Sequence, residues 1–245
     1  METVDITPYI GLYKESLPLN RIKPLRNQTY KIFRASKLDI RISNRKQTYK
    51  DPKAFNKMRH FLLANEWFYM IPLTTIKGTI VGFIVRGVTT SDYNTITRTF
   101  TDYKDQVPFM FGFDKHFIKY SKADTCYPII LCEGCKDCLT LKKLYPYVLA
   151  NNTSSMGLNM QVLRNISDKF ILAYDNDKAG QDGITKDKRT LRGQGAYVDN
   201  LTLPDGYKDC TDYLIDSKTG HINRNNILPL RNQILKKVKA LMAIQ

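Results

Sequence analysis

The chain has 245 residues, of which 42% are hydrophobic, and a formal net charge of +15. This length and composition suffice for one large or two small folded domains and exclude a disordered chain. The apolar runs are too short to cross a bilayer and no signal sequence opens the chain, so the composition predicts a cytoplasmic protein without a membrane partner.

Charge is distributed unevenly along the chain. Residues 1–122 carry 21 Lys and Arg against 10 Asp and Glu, residues 123–216 carry 11 against 13, and residues 217–245 carry 6 against none. We interpret the basic parts as phosphate-binding surfaces that flank a metal site; a merely solvated basic surface is the alternative. The division predicts a basic N-terminal α+β domain (1–122), a metal-binding domain (123–216) and a basic helical tail (217–245).

The first part of the chain predicts few long elements. Residues 1–60 are basic and irregular in pattern, with a helix expected to begin after Pro52 and to run over Lys53–Leu63. Two β-rich runs, Tyr69–Thr74 and Thr79–Val88, flank a short segment with Gly78 and predict a hairpin. Residues 89–122 are expected to continue as short strands or loops.

From residue 127 the pattern alternates between apolar strands and helices. We predict strands over 127–132, 147–150, 170–174 and 195–203, with helices over 135–145, 159–167 and roughly 178–193. A further helix is predicted over roughly 228–243. Such alternation is typical of a mostly parallel four-stranded sheet with helices on both faces, which is an α/β fold.

The cysteine pattern does not favour a zinc site. Cys132, Cys135 and Cys138 have the spacing of a zinc knuckle, but no second pair of ligands follows. Cys132 ends a predicted strand and Cys138 lies inside a predicted helix, so we expect no zinc.

The first group of acids follows the strand at 127–132. Glu133 comes directly after the apolar run, and Asp137 lies four residues further on, in the first turn of the predicted helix. Ligands of open α/β sheets bind beyond the carboxyl ends of the strands, which is where Glu133 is placed. Asp137 can face the same cleft, although an acid at a helix start is also favoured by the helix dipole alone.

The second group, Asp175 and Asp177, follows the strand at 170–174. In extended chain, residues i and i+2 point the same way, so both carboxylates are expected to face the cleft. Like charges this close repel unless a cation lies between them, and Mg²⁺ prefers such oxygen ligands. The alternative is a polar loop in which Asp177 caps the next helix.

The third group, in the run Leu203–Asp209 (LPDGYKD) and the residues after it, adds Asp209. Asp212 is a weaker candidate, since it could be an ordinary helix-start acid.

Three groups of acids after strands of one α/β block resemble the Toprim domain, which DnaG-type primases, type IA and type II topoisomerases and some nucleases share. The resemblance covers about residues 123–216. It implies that Glu133 is the conserved glutamate of the family and that Asp175 and Asp177 form its metal-binding Asp-x-Asp element. The run Asp175–Gly180 (DNDKAG) and the run Leu203–Asp209 are similar to the primase versions of these elements.

Upstream runs extend the resemblance to a primase catalytic core. Met70–Leu73 with Ile80–Arg86 resembles the primase phrase FPI…GxVIGFxxR, and Phe109–Asp114 resembles the phrase that precedes the Toprim domain. Nothing upstream of residue 60 matches a zinc ribbon, and no phosphate-binding loop of the helicase type occurs. We therefore expect an enzyme without a zinc ribbon or helicase domain. The compactness of the chain and its divergence from the family indicate a phage- or plasmid-like enzyme, in the host cytoplasm if a phage encodes it.

The family resemblance implies two different roles for the candidate site residues. Glu133, Asp175 and Asp177 would be catalytic and, with Asp209, would hold Mg²⁺ or Mn²⁺. A second set would contact nucleotide or DNA, namely Lys77, Arg86, Arg98 (with Lys104 as the runner-up to Arg98) and Asp137.

The expected function is template-directed synthesis of short RNA primers on single-stranded DNA during replication. The expected partners are the template, NTPs and a replicative helicase or another replication protein. Two alternatives are a Toprim-type metal-dependent nuclease and a catalytically inactive nucleic-acid-binding scaffold.

Overall fold

A computed structural model describes residues 110–112, 127–151, 163–216 and 219–244 with their side chains. The backbone alone is described for residues 159–162 and for the strands that precede residue 98. The backbone divides into two compact units, one formed by Met1–Thr75 with Thr79–Val107 and the other by Ile76–Gly78 with Pro108–Gln245. The predicted boundary between residues 122 and 123 lies outside the described residues and stays a prediction.

The first unit contains two antiparallel sheets. The strands are β1 (Thr3–Asp5), β2 (Glu15–Pro18), β3 (Lys23–Pro24), β4 (Phe33–Ser36), β5 (Arg41–Ile42), β6 (Trp67–Thr74), β7 (Ile80–Gly87) and β8 (Tyr93–Thr97). The five-stranded sheet has the order β3-β4-β6-β7-β8 and the three-stranded sheet has the order β1-β2-β5.

The hairpin predicted in this unit is present. Strands β6 and β7 pair antiparallel, with a register shift between Leu73 and Thr74 just before the turn. The irregular pattern expected for residues 1–60 was wrong in one respect, because five short strands lie there. Strands of two to four residues are too short to show the alternation by which a strand is recognised. The helix predicted over Lys53–Leu63 lies outside the described residues.

The second unit is built on a four-stranded sheet in which every pairing is parallel. The elements are β9 (Ile129–Cys132), α1 (Cys135–Lys142), β10 (Val148–Ala150), α2 (Asn159–Ile166), β11 (Lys169–Ala173), α3 (Lys178–Gly193), β12 (Tyr197–Asn200), α4 (Cys210–Leu214) and α5 (Arg224–Met242). The strand order is β10-β9-β11-β12.

The central strands form because their side chains are apolar on both faces. All four residues of β9 are fully buried, and so are Phe170, Ile171 and Leu172 of β11. Continuous burial of this kind is what a parallel strand covered on both faces requires. The α/β fold class with a four-stranded parallel sheet is thereby confirmed.

Most helix bounds match their predictions within a few residues, and α3 matches at both ends. α3 buries Gly180, Ile184, Asp187 and Leu191, which lie on one face of the helix. No range was predicted for α4, which has five residues, although Asp212 was considered as a helix-start acid. The prediction began α5 four residues too late. Asn223 caps α5, with its side chain accepting from the Asn225 N–H, and Pro229 lies inside the helix rather than near its start.

No helix in the portions of the chain that the structure describes is long and apolar enough to cross a membrane.

Candidate metal centre

The acids come together at the carboxyl end of the sheet. Strands β9 and β11 are neighbours, and their register pairs Cys132 with Ala173, so both strands end at the same level. Glu133 follows one of these ends and Asp175 lies two residues beyond the other. The backbone N–H of Asp175 points to Glu133 Oε1 at a distance of 3.4 Å, which joins the two segments directly.

Three aspartates form the tightest acidic group among the described residues. Asp137, Asp175 and Asp209 each offer one carboxylate oxygen, and these oxygens lie within 4.8 Å of one another. They come from α1, from the segment after β11 and from the segment before α4, so this group exists only in the folded chain. Glu133 and Asp177 are not members of the group.

Asp137 is the buried member of the group, with 6% of its surface exposed. Its Oδ1 accepts hydrogen bonds from the Thr211 backbone N–H at 2.9 Å and from the Thr211 hydroxyl at 2.8 Å, which joins α1 to α4. The pKa of Asp137 is raised to about 7, chiefly because burial disfavours the charged carboxylate and next because Asp209 carries a like charge; the bonds from Thr211 oppose this rise.

Asp175 is half-buried and has a basic partner. Lys208 Nζ lies 3.3 Å from Asp175 Oδ2. Burial raises the pKa of Asp175, the ammonium of Lys208 opposes that rise, and the charges of Asp209 and Asp177 add to it. The pKa of Glu133 is raised for similar reasons, first by burial and then by the charge of Asp175. Acids raise one another's pKa in this way when their negative charges lie close together.

Asp177 and Asp209 each cap a helix. Asp177 is exposed, and its Oδ1 accepts from the Gly180 N–H at 2.9 Å at the start of α3. Asp209 Oδ1 accepts from the Asp212 N–H at 2.7 Å at the start of α4. In return, Asp212 Oδ2 accepts from the Lys208 N–H at 3.0 Å, which resembles a capping box. Capping uses one carboxylate oxygen and leaves the other for a further partner.

The loops that carry these acids are fastened to one another through the backbone. The Asn176 N–H donates to the Lys208 carbonyl at 2.6 Å, and the Asn176 side chain donates to the Tyr207 carbonyl at 3.3 Å. These bonds tie the segment after β11 to the segment before α4. The positions of Asp175 and Lys208 are therefore set by main-chain contacts.

The predicted nucleotide- and DNA-binding residues fall into three cases. Asp137 lies in the acidic group rather than apart from it. Arg86 lies in β7 of the first unit, in register between Tyr69 of β6 and Tyr93 of β8. Lys77 and Arg98 lie outside the described residues.

Sequence reasoning missed two residues of the site. Thr211 holds Asp137 although 74 positions separate them, and no local pattern signals such a contact. Lys208 pairs with Asp175, and its place directly before Asp209 was the only signal of this contact.

The residues present fit a divalent cation of the Mg²⁺ or Mn²⁺ type. The group offers carboxylate oxygens only, which are the ligands that these hard cations prefer. Asp137 is buried with oxygens of Asp175 and Asp209 within 4.8 Å, and a cation would relieve the cost of placing these charges together. The nearby thiols are engaged otherwise: Cys132 and Cys138 donate to the backbone carbonyls of Leu149 and Val148.

Comparison with protein families defines the class of this domain. Residues 130–214 match the Toprim-like family model. Together with the parallel sheet and the acids at its carboxyl end, this match establishes a Toprim-like domain in the second unit. The resemblance of the motifs to this domain is thereby confirmed.

Primases are among the known proteins that are similar to this chain. A DNA primase of Clostridium acetobutylicum is 26% identical over 150 residues, which are 59% of this chain and 24% of that protein. The zinc-binding and RNA polymerase domains of the Aquifex aeolicus primase align with a TM-score of 0.52 at 20% identity, covering 81% of this chain and 43% of that one. A DnaG primase catalytic domain bound to single-stranded DNA aligns with a TM-score of 0.50 at 20% identity, covering 69% and 51% of the two chains.

These likenesses show a shared fold. The chain spans about a quarter of the length of the curated relative and about half of the solved chains.

Proposed function

We propose that this chain is the catalytic core of a DNA primase, which copies single-stranded DNA into short RNA primers by divalent-metal-dependent nucleotidyl transfer. The observation that carries the proposal is the group formed by Asp137, Asp175 and Asp209 at the carboxyl end of a Toprim-like sheet. The curated relative supports the choice of primase among Toprim enzymes, because its 150 matched residues extend beyond the Toprim-like segment.

The acids would hold the metal. Asp137, Asp175 and Asp209 supply oxygens that are already close together, and Glu133 and Asp177 lie near enough to act on the pKa of their neighbours. When bound, the metal neutralises triphosphate charge and stabilises the attacking and leaving oxygens of the transfer.

The protein's own contribution is to preorganise these oxygens. The bonds from Thr211 to Asp137 and the backbone bond from Asn176 to Lys208 fix the acids before any substrate arrives. A site held in this way loses little free energy to reorganisation during the reaction.

The template and nucleotides would be held by basic residues. We propose Arg86, Lys77 and Arg98 for this role, because the chain is most basic over residues 1–122. The similar DnaG domain bound to single-stranded DNA supports the choice of template. A replicative helicase or another replication protein is the proposed partner in a cytoplasmic setting.

The test is incubation with a single-stranded DNA template, labelled NTPs and Mg²⁺ or Mn²⁺, with products sized on a denaturing gel. We expect short RNA products that depend on both template and metal. The Asp175→Asn variant, which keeps the size of the side chain and removes its charge, should give none.

A nuclease and an inactive scaffold give different results in the same assay. Shortening of a labelled template without NTP incorporation would identify a Toprim nuclease and refute the proposal. Absence of both reactions, with metal binding also absent, would indicate the scaffold.

A further inference from the structure

We propose that Lys208 is a phosphate-binding residue of this site, whose ammonium group exchanges Asp175 for an anionic oxygen of the metal-bound nucleoside triphosphate. The inference rests on the proposed function in one respect, the choice of a triphosphate as the ligand. Lys208 would thus pair first with Asp175 and then with a phosphate oxygen of the triphosphate. While it is paired with Asp175, Lys208 would compete with the divalent metal for this carboxylate.

The ion pair lies on the solvent-exposed side of the acidic group. Lys208 Nζ lies 3.3 Å from Asp175 Oδ2, and the side chain of Lys208 is 63% exposed while that of Asp175 is 19% exposed. An ammonium group has three N–H donors. One of them faces Asp175, so the others are directed towards solvent, from which a substrate would approach.

The backbone of Lys208 is fixed although its side chain is exposed. Its N–H donates to Asp212 Oδ2 at 3.0 Å, and its carbonyl accepts from the Asn176 N–H at 2.6 Å. These two contacts hold the Cα of Lys208 beside the end of β11. The flexible part of the residue is therefore only its four-carbon stem, which can redirect the ammonium without movement of the loop.

Exchange of partners costs little because the ammonium end of the ion pair is exposed to solvent. Ion pairs of exposed lysines contribute little to stability. A triphosphate carries more negative charge than one carboxylate and offers several acceptor oxygens, so it is the stronger partner for the ammonium.

The same geometry sets Lys208 against the metal. A divalent cation bound to Asp175 would be attracted to the same carboxylate as the ammonium of Lys208. The two cations would also repel each other. Metal binding thus weakens the hold of Asp175 on Lys208. The released ammonium would then be free to bind an anionic oxygen of the triphosphate.

Two affinities with opposite expected shifts test this inference. In the Lys208→Gln variant, Mn²⁺ should bind more tightly than in the wild type by about twofold to fivefold, because a competing cation is removed. Binding is measured by electron paramagnetic resonance on the full chain without nucleotide. At saturating Mg²⁺, ATP should bind the same variant about tenfold more weakly in calorimetry, because a charge-assisted hydrogen bond to phosphate is lost.

Two further variants serve as controls, one that removes a nearby positive charge and one that keeps the charge at position 208. Lys178→Gln removes an exposed lysine three residues beyond Asp175 and should change each affinity by less than about twofold. Lys208→Arg keeps the charge and should retain ATP affinity within about threefold of the wild type.

The outcomes separate a phosphate-binding role from a structural one. If Lys208→Gln weakens Mn²⁺ and ATP binding together, Lys208 serves only to place the loop and the inference is overturned. Unchanged ATP affinity would overturn it as well. If both affinities shift as expected while the wild-type chain makes no RNA, the phosphate site stands and the primase proposal fails.

Discussion

Gly180 packs against the backbone of Asp175 so closely that no side chain fits between them. A Cβ on Gly180 would overlap the carbonyl oxygen of Asp175 and would lie 2.9 Å from its amide nitrogen. The first turn of α3 therefore packs tightly against the segment that carries Asp175, a member of the acidic group. Glycine is required here for close approach rather than for an unusual backbone angle.

This contact predicts that Gly180→Ala displaces Asp175. We expect a loss of about 2 kcal/mol or more in the free energy of unfolding, since the overlap is with backbone that cannot move aside cheaply. At Gly193, at the end of the same helix, a Cβ would have no atom within 4 Å, so Gly193→Ala should be neutral or stabilise by up to about 1 kcal/mol. Urea unfolding of both variants measures the difference. Equal changes in the free energy of unfolding for the two variants would show that the contact between Gly180 and Asp175 has no special effect on stability.

The raised pKa of Asp137 predicts a dependence of stability on pH. Its folded pKa of about 7 lies above the usual value of 3.8 for the unfolded chain, so the folded state binds more protons between these two values. Without divalent metal, Asp137 should lower the stability progressively from about pH 4 to pH 7, with the cost fully developed above that range.

Asp137→Asn isolates this effect from that of other acids. The amide oxygen can still accept both bonds from Thr211, while the charge is gone. In thermal unfolding with EDTA, the variant should lose less stability than the wild type between pH 5 and pH 8. Saturating Mg²⁺ at pH 8 should stabilise the wild type more than the variant. Parallel pH profiles would contradict the assignment.

How much of this site could be predicted depended on whether each residue adjoins a strand or helix that the sequence pattern reveals. Glu133 and Asp175 were predictable because each follows an apolar strand, and neighbouring parallel strands end at one edge of the sheet. The bonds between Asp137 and Thr211 were not, because α4 has only five residues and too few turns to show a helical period.

The prediction that Asp175 and Asp177 face the same way rested on an extended chain. Strand β11 ends at Ala173, and Asp177 is already the cap of α3. Both carboxylates nevertheless lie close enough to Glu133 to raise its pKa. Asp177 is exposed, whereas Asp137, which was expected to contact nucleotide or DNA, is buried within the acidic group.

The two tasks of Asp177 can be separated by substitution. Asn is as good a helix cap as Asp, so Asp177→Asn should change the free energy of unfolding by less than about 0.5 kcal/mol. Asp177→Ala should cost about 1 kcal/mol, because the bond to the Gly180 N–H is lost. If Asp177 also binds the metal, both variants should lower primer synthesis by at least about a hundredfold. Near-normal synthesis by Asp177→Asn would show that Asp177 serves as a cap only.

A buried hydrogen bond behind the site predicts a further effect on stability. The Tyr174 hydroxyl donates to Asp187 Oδ2 at 2.7 Å, and both residues are almost fully buried. Tyr174→Phe leaves the carboxylate without this donor and should cost about 1–3 kcal/mol in urea unfolding. Replacing both partners, as Tyr174→Phe with Asp187→Leu, should recover at least half of that loss, because no polar group is left unpaired. A double variant as unstable as the sum of the single ones would refute this account.

The basic parts of the chain predict weak DNA binding that depends steeply on salt. Phosphate contacts release counterions, so the logarithm of the binding constant should fall linearly with the logarithm of salt concentration, with little preference for sequence. Residues 1–60 are the best candidates for these contacts, with 14 basic residues against 5 acids, and the tail is the next. Within the tail, Arg231 and Lys236 are exposed on α5.

Replacing these two residues tests the contribution of α5. The double variant Arg231→Gln with Lys236→Gln should reduce the slope of the salt dependence by about 1.4, since each contact to a single strand contributes about 0.7. The matched control is Lys186→Gln with Arg189→Gln, which makes the same charge change on the exposed face of α3. Fluorescence anisotropy with a labelled oligonucleotide at several salt concentrations gives the slopes. We expect the control to keep the wild-type slope, because residues 123–216 carry no basic excess. Equal loss in both variants would show that binding follows net charge alone, and an unchanged slope in the α5 variant would place the contacts elsewhere in the chain.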